Sequence, residues 1–156
     1  MVNMKLVNKQ RRQIALGLVL LPALSFAVTD KPVITMWKSP TCGCCKDWAD
    51  HIEKNGFVVK TFTDGNDEIR KKLGMPIQFG SCHTALIDGY AIEGHVPAKE
   101  IKRLLAEKPK AVGLTVPAMP IGSPGMDGPE YKGRKDPYDV LLIGLNGKPS
   151  IYQSYR

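Results

Sequence analysis

The sequence predicts a mixed α/β fold on three observations. Runs of β-branched and aromatic residues at 33–37 and 57–62 flank a stretch with helical spacing. A second pair of such runs closes on Asp88-Gly89, the two-residue signal for a tight hairpin. Gly56, Gly74 and Pro97 stand where helices would end or begin.

The elements follow in order. Residues 33–37 form a first strand that stops at Ser39-Pro40-Thr41. Residues 44–55 form a helix with Cys45, Trp48, Ala49 and Ile52 on one face, closed by Gly56. A second strand covers 57–62, and a short helix covers 67–73 and ends at Gly74. Strands 84–87 and 90–93 make the hairpin, and Pro97 opens a helix over 98–108 with Ile101, Leu104 and Leu105 as its apolar stripe. The order β-α-β-α-β-β-α is the thioredoxin-like arrangement. Residues 28–110 are assigned to that domain. From 116 to 129 the chain is dense in Pro and Gly, and 138–143 and 150–152 flank Asn146-Gly147 as a terminal hairpin. Too small for a core of its own, the stretch 111–156 is read as an extension packed on the domain and contributing to its site.

Residues 1–27 read as a cleaved signal peptide. Lys5, Lys9, Arg11 and Arg12 precede an apolar run, and Ser25-Phe26-Ala27 offers the small residues of a cleavage site. An uncleaved anchor is the alternative, and Arg11-Arg12 also permits a twin-arginine signal. Four of the 22 basic residues and none of the 15 acidic ones lie in this leader, leaving 18 against 15. Such a balance gives no reason to expect a nucleic-acid partner. The exported chain is expected to be a periplasmic monomer, not embedded in a membrane.

Three of the four cysteines fall in Cys42-Gly43-Cys44-Cys45, at a strand-to-helix junction. A helix N-terminus stabilises thiolate, so Cys42 and Cys45 suit a redox pair, with Cys42 as nucleophile and Cys45 as resolving thiol. Cys44 is surplus to that chemistry. With Cys82 it completes a compact set of sulfurs able to bridge several ions. Zinc sites usually offer two paired cysteine arms, whereas soft thiolates with thioethers nearby favour Cu(I). Copper is the metal expected, with zinc behind it.

Cys82 joins the others because the third strand should run antiparallel to the first, which brings its start beside the cysteine motif. Thioredoxin-like proteins usually carry a proline there, and His83 in its place leaves that face open to a metal. A buried structural Cys82 with a surface His83 is the plain alternative. His51 lies roughly 10 Å along the helix from Cys44 and is read as a solvated surface residue. His95, at the end of the fourth strand, is either a ligand or a helix cap. Met36 is read as core filling, while Met119 and Met126, on a loop with no core face to fill, are candidate ligands with Met75 behind them.

At these residues the chain resembles the CopG-like family of periplasmic copper-resistance proteins. The resemblance rests on Thr41-Cys42-Gly43-Cys44-Cys45, Ser81-Cys82-His83-Thr84-Ala85, Tyr90-Ala91-Ile92-Glu93-Gly94-His95-Val96-Pro97, Val116-Pro117-Ala118-Met119-Pro120 and Gly122-Ser123-Pro124-Gly125-Met126. It implies a thioredoxin-like domain, copper held by the cysteine cluster, an extension that helps bind metal, and an oxidoreductase role in copper detoxification.

The expected function is copper resistance through a multinuclear site bridged by Cys42, Cys44, Cys45 and Cys82, coupling Cu(I)/Cu(II) interconversion to thiol oxidation. A copper efflux system or a periplasmic copper carrier is the expected partner. Two other readings stand beside it: a passive Cu(I) chaperone, and a metal-free thiol-disulfide oxidoreductase.

Overall fold

The computed structural model describes residues 30–156, so the expected signal peptide lies outside the described residues. A single seven-stranded mixed sheet organises the chain, and the expected α/β class is found. The elements are β1 (Val33–Lys38), α1 (Gly43–Lys54), β2 (Val58–Phe62), α2 (Asp67–Lys72), a 3₁₀ turn (Ile77–Phe79), β3 (His83–Ile87), β4 (Tyr90–Gly94) and α3 (Ala98–Glu107). They continue with β5 (Ala111–Val116), a 3₁₀ turn (Pro129–Tyr131), β6 (Tyr138–Gly144) and β7 (Pro149–Tyr155).

Strands are ordered β2-β1-β3-β4-β5-β6-β7. The pairs β1–β2 and β4–β5 are parallel and the others antiparallel. Each parallel pair is joined through a helix, as a crossover between parallel strands requires. Register places Lys38, the last residue of β1, opposite His83, the first of β3. That pairing carries the Ser81-Cys82-His83 segment to the cysteine motif.

The main core lies between one face of the sheet and the helices α1 and α3. Ile34 and Met36 of β1, Ile92 of β4, Leu114 and Val116 of β5 and Val140 of β6 meet Trp48 and Ile52 of α1 and Ile101 and Leu104 of α3. The buried face of α1 is Cys45, Trp48, Ala49 and Ile52, the four residues its helical spacing had selected. A smaller cluster joins Ala91 of β4 and Ile143 of β6, which point to the other face, with Met75 from the segment after α2.

β5 was not among the expected elements. Its apolar residues Val112, Leu114 and Val116 alternate as in a strand, but Gly113 and the nearby Pro/Gly run mask the pattern. Gly113 is required by packing: a Cβ there would fall 1.8 Å from the Ala91 carbonyl oxygen. Through β5 the C-terminal hairpin β6–β7 continues the main sheet.

Candidate metal centre

The cysteine motif sits where β1 gives way to α1. Cys42 is the N-cap of the helix in extended conformation, with no side chain capping the first turn. The first-turn N–H groups and the helix dipole therefore face the sulfurs. Lys38 continues the inward alternation of Ile34 and Met36, so the end of the strand delivers a nearly buried ammonium beneath the motif. Its Nζ donates to the carbonyls of Ser39 and Cys42 at 2.9 and 3.1 Å.

Cys42 and Cys45 are joined by a disulfide, and Cys44 and Cys82 are free thiols. Cys45 is fully buried, while Cys42, Cys44 and Cys82 are partly exposed. All four Sγ atoms lie within 4.8 Å of one another. Cys44 Sγ is 3.6 Å from Cys42 Sγ, and Cys45 Sγ is 3.7 Å from the Cys82 carbonyl oxygen.

Cys82 also meets two histidines, its Sγ lying 3.1 Å from His95 Nε2 and 3.4 Å from His83 Nδ1. Both rings are fully buried. His95 Nδ1 donates to the Pro124 carbonyl at 2.7 Å, because a carbonyl can only accept, and its Nε2 lone pair is left facing Cys82. His83 packs against Trp48 with ring centroids 4.3 Å apart. Burial lowers the pKa of both histidines; the His95 ring lowers that of His83 further, while the Pro124 contact partly opposes the fall at His95. Two neutral imidazoles therefore face the Cys82 sulfur.

The segment carrying Cys82 is pinned from below. Glu93, fully buried, accepts from Ser81 N–H at 2.6 Å, from Thr84 Oγ1 at 2.6 Å and from Arg70 Nε at 2.9 Å. Arg70 Nη2 in turn donates to the Ser81 carbonyl at 2.7 Å. From above, the Pro/Gly loop lies close on α1: a Cβ on Gly125 would fall 2.7 Å from the Cys44 carbonyl oxygen and the Trp48 nitrogen.

The other expected residues divide. Met119 is 37% exposed and lines a groove with Cys82. Met126 is partly buried, and its Sδ accepts a hydrogen bond from Tyr131 at 3.5 Å. Met75 is buried in the small cluster with Ala91 and Ile143, and Met36 is buried in the main core. His51 does not match the expected solvated role. Half-buried, it accepts at Nε2 from Ala98 N–H at 3.2 Å and so caps α3, the helix-capping role that the sequence suggests for His95. His83, expected within reach, stands beside Cys82 and not at the surface. Lys38, Arg70, Glu93 and Pro124 were not anticipated. Strand alternation marks Lys38 and places Glu93 on an inward face, whereas the contacts of Arg70 and Pro124 arise between distant segments and leave no local signal.

A family model described as a protein of unknown function, DUF411, matches residues 79–126, the stretch from before Cys82 to Met126. Comparison with curated proteins gives no match. Two solved structures are similar over most of the chain. One, "Copper resistance protein copG- Form 2", is 41% identical, covers 81% of this chain and 100% of its own, and superposes with a TM-score of 0.75. This chain belongs to the CopG family of copper resistance proteins. The "Form 1" structure, again 41% identical, covers 81% of this chain and 98% of its own, with a TM-score of 0.74. In this CopG family member the donor set fits copper: thiolates are soft ligands, imidazoles suit copper as well, and both are gathered here. Among the described residues no helix is long and apolar enough to cross a membrane.

Proposed function

We propose that this protein acts in periplasmic copper resistance, holding several copper ions between Cys42, Cys44, Cys45 and Cys82 and interconverting Cu(I) and Cu(II) through thiol/disulfide chemistry. Copper is cargo and substrate. The observation that carries the reading is the gathering of all four sulfurs within 4.8 Å at a helix N-terminus. The names of the two similar structures support it.

Oxidation of two thiols to one disulfide releases two protons and two electrons, which reduce two Cu(II) to two Cu(I). The Cys42–Cys45 pair supplies two electrons, and its disulfide is that capacity spent. Cys42 and Cys45 are the redox pair, and Cys44 and Cys82 complete the bridging set. His95, Met119 and Met126 supply further donors. The frame is a thioredoxin-like domain over 28–110, a reading supported by its element order. Residues 111–156 add to the site, as the Pro124 contact to His95 suggests. Residues 1–27 direct export, and the monomer passes copper to an efflux system or a soluble carrier.

Metal analysis of protein purified reduced and without oxygen tests the site. More than one copper per chain is expected, with uptake reduced in Cys82→Ser. Less than one copper per chain, with uptake unchanged in the variant, would defeat the proposal. The disulfide between partly exposed Cys42 and buried Cys45 also favours a second reading, metal-free thiol-disulfide exchange. That reading predicts disulfide-reducing activity that survives replacement of both Cys44 and Cys82.

A further inference from the structure

Cys82, His83 and His95 form a second donor set, with one sulfur and one nitrogen from each ring all within 4.8 Å. It shares Cys82 with the four-sulfur group and contains neither Cys42 nor Cys45. The difference matters in the oxidised state, because a sulfur in a disulfide is no longer a thiolate ligand. Once Cys42 and Cys45 are joined, the four-sulfur set is broken, while the set of one thiol and two imidazoles is intact.

Its geometry is close to that of a bound divalent ion. Sulfur and nitrogen ligands at about 2.3 and 2.05 Å from one metal stand about 3.1 Å apart at a right angle and about 3.6 Å apart at the tetrahedral angle. The separations from Cys82 Sγ are 3.1 Å to His95 and 3.4 Å to His83. The Pro124 carbonyl fixes the His95 tautomer, as a backbone acceptor commonly does for a metal-binding histidine. The His83 nitrogen that faces Cys82 is Nδ1, so both rings turn one nitrogen toward the shared sulfur. Access is from the Cys82 side, through a groove of about 390 Å³ that it lines with Met119 and Arg70.

We propose that, in the disulfide form, Cys82, His83 and His95 bind one Cu(II) ion, so that the oxidised protein still carries copper. One thiolate with two imidazoles suits Cu(II), and four sulfurs suit Cu(I); the two redox states of the chain thus prefer the two states of the metal. Binding transfers no electron. Its only chemical step is loss of the Cys82 thiol proton to solvent as the sulfur ligates. The inference deepens the copper reading above and rests on it for the identity of the metal.

Co(II) is a redox-silent probe of this set. The full chain is prepared with Cys42–Cys45 oxidised and two thiols counted, then titrated with Co(II). One ion per chain is expected, with thiolate-to-metal charge-transfer absorption that Cys82→Ser removes and X-ray absorption showing one sulfur and two imidazoles. Cu(II) should displace the cobalt one for one, as the order of divalent affinities requires. His83→Gln should weaken Co(II) binding by about tenfold or more, leave one imidazole, and keep the Cu(I) stoichiometry of the reduced chain. Fewer than two imidazoles on the wild-type site, a measurement that does not depend on any variant folding, would overturn the inference. A chain that takes up Cu(I) when reduced but no divalent ion when oxidised would overturn it alone; failure of Cu(I) uptake would instead count against the four-sulfur cluster.

Discussion

Burial pushes the Cys82 thiol up from 9.0 to about 12, and neighbouring Cys44 adds to the rise. In the unfolded chain the thiol loses its proton near the ordinary value, whereas the folded chain keeps it to the higher one. Between those limits the folded state binds more protons, so its stability falls as pH rises through the window. Tyr138, pushed up to about 12 by burial, adds to the trend above its ordinary 10.0. Copper-free protein is therefore expected to show urea midpoints that fall above pH ~9, with a shallower fall in Cys82→Ser. An identical slope in the variant would contradict the assignment. Glu93 permits a second prediction at this scale. Replacing it with Ala takes away the buried partner of Arg70 and leaves that cation paired only with exposed Asp67, a loss on the order of 1–3 kcal/mol, and frees Ser81 from its carboxylate anchor. A lower melting temperature and weaker copper uptake are expected together, read by thermal denaturation and copper titration.

Helices and hairpins carry signals that lie within a few residues, and those were legible. The α1 face of Cys45, Trp48, Ala49 and Ile52 follows from helical spacing, and the turn at Asp88-Gly89 from the need for positive φ, which both residues adopt. β5 was hidden because Gly113 lowers strand preference, while the reason for that glycine, its approach to Ala91, exists only in the folded sheet. The site divides in the same way. Its sulfurs could be read from the motif and from strand direction, but the contact between Pro124 and His95 spans 29 residues and follows from loop packing. Gly125 is the element-scale handle on that loop. It has φ +83° and no room for a Cβ, so Gly125→Ala should cost roughly 1–3 kcal/mol and displace Pro124 from His95. Denaturation midpoints and histidine ring NMR shifts check both effects; an unshifted His95 would contradict the coupling.

At the scale of the molecule, one sheet joins the N-terminal cysteine motif to the C-terminal hairpin. Leu114, Val116 and Val140 belong to the same core as Trp48 and Leu104. A chain ending at Lys110 would lose them and leave β4 as an unpaired edge. It is expected to lack cooperative thermal unfolding, measured by circular dichroism, and a sharp transition would contradict that shared core. The central claim is that copper and thiol redox are coupled. The most direct test adds Cu(II) to fully reduced protein without oxygen, counting free thiols and bound copper before and after. The account predicts two thiols lost for every two Cu(II) reduced, with the copper held falling toward one per chain as the Cys42–Cys45 disulfide forms. An unchanged thiol count with copper tightly bound would contradict it and leave a passive copper carrier.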